Sequence, residues 1–133
     1  SSIGSESIFN LANADIRFLG ESAFDYAGSS VSSAGDVDGD GRSDLIIGAY
    51  NQSHSGYGAA YLVFANSLSW DTTVSLSDAS FKFRGIYNAH YAGASVAGSG
   101  DVDGDGLDDI LIGAFGDNSG GHQAGAAYLL LTD

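Results

Sequence analysis

Apolar residues along the chain fall in short continuous or alternating runs between turns rich in glycine, serine and aspartate. No stretch carries the 3.6-residue stripe of an amphipathic helix, so the pattern predicts β structure throughout. Residues 27–33 and 92–98 are small-residue strands flanked by glycine. Residues 44–49 and 109–114 are continuous apolar runs, suited to strands buried on both faces. Residues 59–64 and 126–131 form a third pair. Residues 15–19 and 80–84 alternate through IRF and FKF, as half-exposed edge strands do.

The pairs arise because the chain is written twice. At an offset of 65, residues 18–50 and 83–115 share 18 identities in 33 positions. The common skeleton is F-x-G, Y-A-G-x-S-V, G-D-V-D-G-D-G-x-x-D and I-G-A. Upstream, Leu11, Ala14, Ile16 and Phe18 fall on Leu76, Ala79, Phe81 and Phe83; downstream, GAAYLVF returns as GAAYLLL. The period of about 65 residues exceeds that of helical solenoids and is within reach of one propeller blade. Residues 1–66 and 67–133 are therefore read as two repeats, each opening on the outermost strand of a blade and continuing with three inner strands. The expected fold is all-β, made of four-stranded antiparallel blades, with only one blade complete in the chain.

Charge sharpens this picture. The chain holds 17 acidic and 4 basic residues, a formal charge of −13, and nine of the acids lie in the two Asp-rich stretches. Such a surface repels nucleic acid and anionic membrane, which are excluded as partners. A hydrophobic share of 44%, with seven Tyr and seven Phe, argues for a packed core rather than disorder. No apolar run approaches the length of a membrane-spanning helix. The chain has no cysteine and no methionine, and Ser1 reads as a processed or excised end.

Counting Asp36 as position 1, carboxylates occupy positions 1, 3, 5 and 9: Asp36, Asp38, Asp40 and Asp44, then Asp101, Asp103, Asp105 and Asp109. Gly39, Gly41, Gly104 and Gly106 permit the positive φ values that wrap a backbone around an ion. The carbonyls of Arg42 and Leu107, at position 7, add an oxygen to each loop. Hard oxygens in this number suit Ca²⁺, two sites per chain, whereas Zn²⁺ lacks cysteine or histidine in the loops. An EF-hand is excluded because its position 12 requires Glu, and Ile47 and Ile112 stand there.

These motifs resemble the FG-GAP repeats of integrin α-subunit-like β-propellers across nearly the whole chain. The departures are Leu19 and Arg84 between Phe and Gly, and Tyr50 and Phe115 where the family has proline after Gly-Ala. The resemblance implies a propeller with Ca²⁺ in the loops between the first and second strands of each blade. There the metal mainly stiffens the blade, while partners bind the opposite face. It points to a non-catalytic, structural or adhesive module at the cell surface or secreted, and the cysteine-free composition favours a bacterial source.

Propeller rings need about 4–8 blades. Hence the rest of a longer chain, or copies of this one in a trimer or tetramer, must complete the ring. Alternating strand directions place the remaining loops on the face opposite the metal. Tyr50, Asn51, His54, Tyr57, Tyr87, His90, Phe115, Asp117 and His122 gather there, with Phe24, Asp25, Tyr26 and Tyr91. Aromatic faces beside planar polar groups suit a glycan or an extracellular protein. A lectin, or an accessory domain of a polysaccharide-degrading enzyme, is thus the alternative to a purely structural role. No nucleophile–base constellation is legible, so catalysis is not expected.

Overall fold

The computed structural model describes residues 8–69 and 73–133; the Ser1 end lies outside them. In chain order the strands are β1 (Arg17–Leu19), β2 (Ser30–Gly35), β3 (Asp44–Ala49), β4 (Ala59–Val63), β5 (Thr73–Ser75), β6 (Phe81–Arg84), β7 (Ala92–Gly100), β8 (Asp109–Ala114) and β9 (Ala126–Leu130). One antiparallel sheet has the order β2-β3-β4-β6 and is a complete four-stranded unit. A second has the order β7-β8-β9 and lacks an outer strand among the described residues. The expected imbalance between the two repeats is therefore visible in the topology.

The apolar runs of β3 and β4 are continuous because both faces of the first sheet are covered. Ile46, Ala60 and Leu62 point towards the second sheet and meet Ile110 and Ile112, with Phe83, Val96 and Leu130 packed alongside. Ile47, Ala49, Tyr61 and Val63 point the other way, onto Leu76, Phe18 and Leu68. Side chains two apart share a face, so one run feeds two cores.

The sheets approach closely where their residues are small. Strand β7 lies against β2 and β3, and the Ser30 hydroxyl donates to the Gly93 carbonyl at 2.8 Å. A Cβ at Gly48 would collide with that same carbonyl. Glycine is required there by the approach of two backbones rather than by a turn.

Two details differ from the sequence pattern. The first inner strand starts at Ser30 rather than residue 27, because Gly28 adopts φ +84 and extends the preceding turn. Strand β5 was not foreseen; it pairs in parallel with β1, in the register Arg17↔Thr73 to Leu19↔Ser75. Three residues reading T-V-S carry too little alternation to mark a strand.

Leu76 opens a 3-10 turn, Leu76–Asp78, and is 1% exposed within the second core. Leu76→Ala is expected to cost about 2–5 kcal/mol, the transfer loss plus the cavity. Urea denaturation would read this as a lower midpoint at unchanged slope.

Candidate metal centres

Each Asp-rich stretch forms the loop between two antiparallel strands, β2–β3 and β7–β8. Left-handed glycines turn the backbone inward: φ is +76 at Gly39, +84 at Gly41, +81 at Gly104 and +99 at Gly106. In the first loop, carboxylate oxygens of Asp36, Asp38 and Asp40 lie within 4.8 Å of one another; in the second, those of Asp101, Asp103 and Asp109 do. Three of the four expected carboxylates converge in each loop, and the third member differs.

The remaining oxygens are largely committed to the backbone. Asp36 Oδ2 accepts from Gly41 N at 2.9 Å, and Asp101 Oδ2 accepts from Gly106 N at 2.9 Å. Asp40 and Asp105 accept from Arg42 N and Leu107 N, both at 2.9 Å, which fixes the two position-7 residues in the turn. The Oδ1 atom of Asp36 is buried without a hydrogen-bond partner. A buried carboxylate oxygen in that state lacks the compensation that such groups normally have.

The position-9 aspartates are fully buried and do more than face the loop. Asp44 accepts from Val37 N at 3.0 Å and from Ala65 N at 2.8 Å. Asp109 repeats this with Val102 N at 2.7 Å and Thr132 N at 3.0 Å. Each carboxylate thus ties its own loop to the chain leaving the third strand.

The loops also touch each other through Asp108, which lies outside the pattern of positions 1, 3, 5 and 9. Its Oδ2 accepts from Asp36 N at 2.8 Å, while its own N–H donates to Asp36 O at 3.0 Å. Ser43 occupies the matching place in the first repeat, so the clasp is written once. That difference between the two loops was the available signal. Asn66, also unforeseen, donates from Nδ2 to Asp38 Oδ2 at 2.7 Å.

On the opposite face the aromatics form a row across both repeats. Tyr26 stacks on Tyr50 at 5.4 Å, Tyr50 meets Tyr91 at 6.1 Å, and Tyr91 stacks on Phe115 at 4.8 Å. Tyr26 and Tyr91 adopt φ +56 and +55, a strain of roughly 1–2 kcal/mol each that the stacking offsets. Asn51 donates to Phe24 O at 2.9 Å, His54 meets the Phe24 ring edge-on, and the Arg84 guanidinium covers Tyr57 at 4.7 Å. His122 is exposed.

His90 and Asp117, expected on the exposed loop face, are buried. They are 5% and 0% exposed, 3.1 Å apart, and the Tyr128 hydroxyl donates to the same Asp117 oxygen. Tyr87 packs edge-on against His90. At the matching positions of the first repeat stand Asp25 and Gln52, also buried, with Asp25 accepting from Ser22 N and Ser53 N.

The FG-GAP repeat profile matches residues 27–63 and 92–130, more than half the chain. The chain belongs to the FG-GAP repeat family. Both matched segments run from the first to the third strand of a sheet and enclose an Asp-rich loop. The two sheets are accordingly blades of a β-propeller. Integrin alpha-PS5 of Drosophila melanogaster is 36% identical over 90 residues, covering 67% of this chain and 9% of that protein. Integrin alpha pat-2 of Caenorhabditis elegans is 31% identical over 119 residues, covering 88% of this chain and 9% of that protein. Integrin alpha-4 of Xenopus laevis is 34% identical over 106 residues, covering 78% and 9% respectively. The chain thus spans about a tenth of the length of these relatives.

The buried Asp117 gives this FG-GAP pair an acid-sensitive point. Its carboxyl is held down from 3.8 to about 2, chiefly by the Ser119 side chain and the Tyr128 hydroxyl, then by Ser119 N–H; burial opposes this and His90 assists it. A carboxyl depressed in the fold stabilises it above the unfolded value and loses that contribution as pH falls through the folded value. The stability gap between wild type and Asp117→Asn should therefore be full above about pH 4 and shrink towards about pH 2. Denaturation curves at several pH values would check it.

Proposed function

We propose that the chain is a non-catalytic, Ca²⁺-stabilised pair of integrin-α-like propeller blades, serving adhesion or scaffolding outside the cell. The observation that carries this is the buried, unpartnered Oδ1 of Asp36 within three converging carboxylates. Three like charges within 4.8 Å of one another destabilise a fold unless a cation compensates them. The loop donors are all hard oxygens, as Ca²⁺ prefers. Asp36, Asp38, Asp40 and Asp44 with the Arg42 carbonyl would hold one ion; Asp101, Asp103, Asp105 and Asp109 with the Leu107 carbonyl would hold the other. Bound there, Ca²⁺ supplies charge compensation and rigidity to the loops.

We divide the chain into repeats at residues 1–66 and 67–133, one site in each. Further blades, from a longer polypeptide or from other copies, complete the ring. Extracellular Ca²⁺ keeps such sites filled even at dissociation constants of about 10⁻⁴–10⁻³ M, which favours a secreted or cell-surface setting. The cysteine-free composition is in keeping with a bacterial source. Commitment of the available groups supports the non-catalytic reading. The loop carboxylates face the ion, and the Asp117 oxygens accept from Ser119 N–H and the Tyr128 hydroxyl, with His90 Nδ1 3.1 Å away.

Titration calorimetry should give two Ca²⁺ per chain, falling to one in Asp36→Asn or Asp101→Asn. Saturation at a hundredfold excess over the dissociation constant would stabilise the fold by about 2.7 kcal/mol per site, read as a higher melting temperature. An unchanged melt in excess EDTA, with no heat of binding, would sink the calcium assignment.

The aromatic row favours a second reading, glycan recognition on the face away from the metal. Phe24, Tyr87 and Phe115 remain more than 60% exposed beside Asn51 and His54. A glycan array in millimolar Ca²⁺ should then show hits that Phe115→Ala weakens at least tenfold, about the worth of one stacked ring. A blank array removes this reading and leaves the structural one standing.

A further inference from the structure

The two ends of the blade pair are complementary, and the internal repeat says how they meet. Between the sheets lies an open cleft of about 380 Å³ lined by Phe83, His90, Ile112, Tyr128 and Leu130. The matching space on the other side of the first blade is lined by Phe18, Ile47, Tyr61 and Val63, and there Leu76 fills it. Leu76 begins a 3-10 turn capped by the Ser75 hydroxyl and closed by Ala79 N–H to Leu76 O. The next strand, β6, then pairs antiparallel with β4, Ala60↔Phe83 and Tyr61↔Lys82.

The same device exists once more, at the other end of the chain. Leu11 begins a 3-10 turn, Leu11–Asn13, capped by Asn10 and closed by Ala14 N–H to Leu11 O. It leads into β1, the counterpart of β6. Yet Leu11 is 80% exposed, where Leu76 is 1%. The β9 strand lacks an outer neighbour, and β1, paired only with β5, has one edge unpaired among the described residues. Among the described residues, an exposed Leu11 and a free edge of β1 thus stand at one end, with an open cleft and the unpaired edge of β9 at the other.

A second pair of surfaces agrees. Val31 and Leu111 are 67% and 38% exposed. Their counterparts in the other repeat, Val96 and Ile46, pack together in the core between the two blades. The exposed Leu129 likewise matches the buried Leu62.

We propose that a second copy of this chain docks head to tail, with Leu11 of the partner subunit seated in the cleft between the blades. The β1 strand of that copy pairs antiparallel with β9 as the missing fourth strand, Ala127 opposite Phe18 of the partner subunit. Leu111 and Leu129 then cover Val31 of the partner subunit, repeating between copies the packing seen between blades. The contact is heterologous, so copies add with constant rotation until the ring closes. Three or four copies give six or eight blades, within the range of closed propellers. This deepens the propeller reading and does not depend on calcium.

Light scattering after gel filtration in millimolar Ca²⁺ should give three or four times the 13.5 kDa of one chain. Leu11→Asp, a change at an exposed position, should return the mass to a single chain with unchanged circular dichroism. The chain has no cysteine, so Leu11→Cys combined with Leu130→Cys should form disulfides between chains on oxidation. A wild-type monomer at every concentration overturns the proposal and leaves the cleft to a further repeat of a longer polypeptide. An oligomer unaffected by Leu11→Asp and free of cross-links overturns it in favour of another interface. Loss of calcium binding with the mass intact would instead strike only the metal assignment.

Discussion

One buried carboxylate per repeat holds the blade together. Asp44 and Asp109 are fully buried, and each accepts one N–H from its own loop and one from the chain beyond the third strand. A charge so placed is costly unless hydrogen bonds compensate it. Meeting that cost fixes where the loop folds and where the third strand ends. The register of three strands follows, and with it the direction of every apolar side chain. Those interactions also explain why the loop can carry further carboxylates: its backbone N–H groups already point inward, towards whatever negative charge the loop presents.

Packing between blades depends on that register. Ile46 and Leu62 face the second blade only because Asp44 starts β3 where it does. The contact is then narrowed by Gly48, Ser30 and Gly93, where backbones touch. Asp108 locks the same contact at the metal face by bonding both backbone groups of Asp36. A cation at the first loop would therefore brace the junction as well as its own blade, since Asp36 belongs to both. The opposite face is held by different means, aromatic stacking over strained Tyr26 and Tyr91. One end of the blade pair is organised by charge and the other by ring packing.

Most of the fold was legible because the sequence repeats. Matching positions forced the same strand on both copies, and the bounds of β3 and β8 came out as expected. The missing outer strand of the second sheet could be counted in advance. The β1–β5 pairing could not, since T-V-S has no periodic signature and its partner lies 56 residues away. The convergence of Asp36, Asp38 and Asp40 followed from spacing alone. The backbone bonds of Asp44 and Asp109 did not, because ligand spacing says nothing about which carboxylate is buried. His90 and Asp117 were legible as loop residues; their burial required the Tyr128 hydroxyl, which spacing places on a strand and not in the site.

The two repeats differ where their surroundings differ, and this separates geometric demands from local solutions. The glycines and the acids at positions 1, 3, 5 and 9 are shared, as a loop wrapped round one centre requires in each blade. The buried polar positions on the opposite face are inverted: Asp25 and Gln52 in one repeat, His90 and Asp117 in the other. Either order puts an acid against donors, so the fold asks for a satisfied buried carboxylate and not for a particular residue. Asp108 has no counterpart in the first repeat, where Ser43 stands at the matching position. Serine there cannot make the same two-point contact through a carboxylate. The outer face of the first blade is instead covered by apolar packing, with Leu76 and Phe18 seated on Ile47, Tyr61 and Val63.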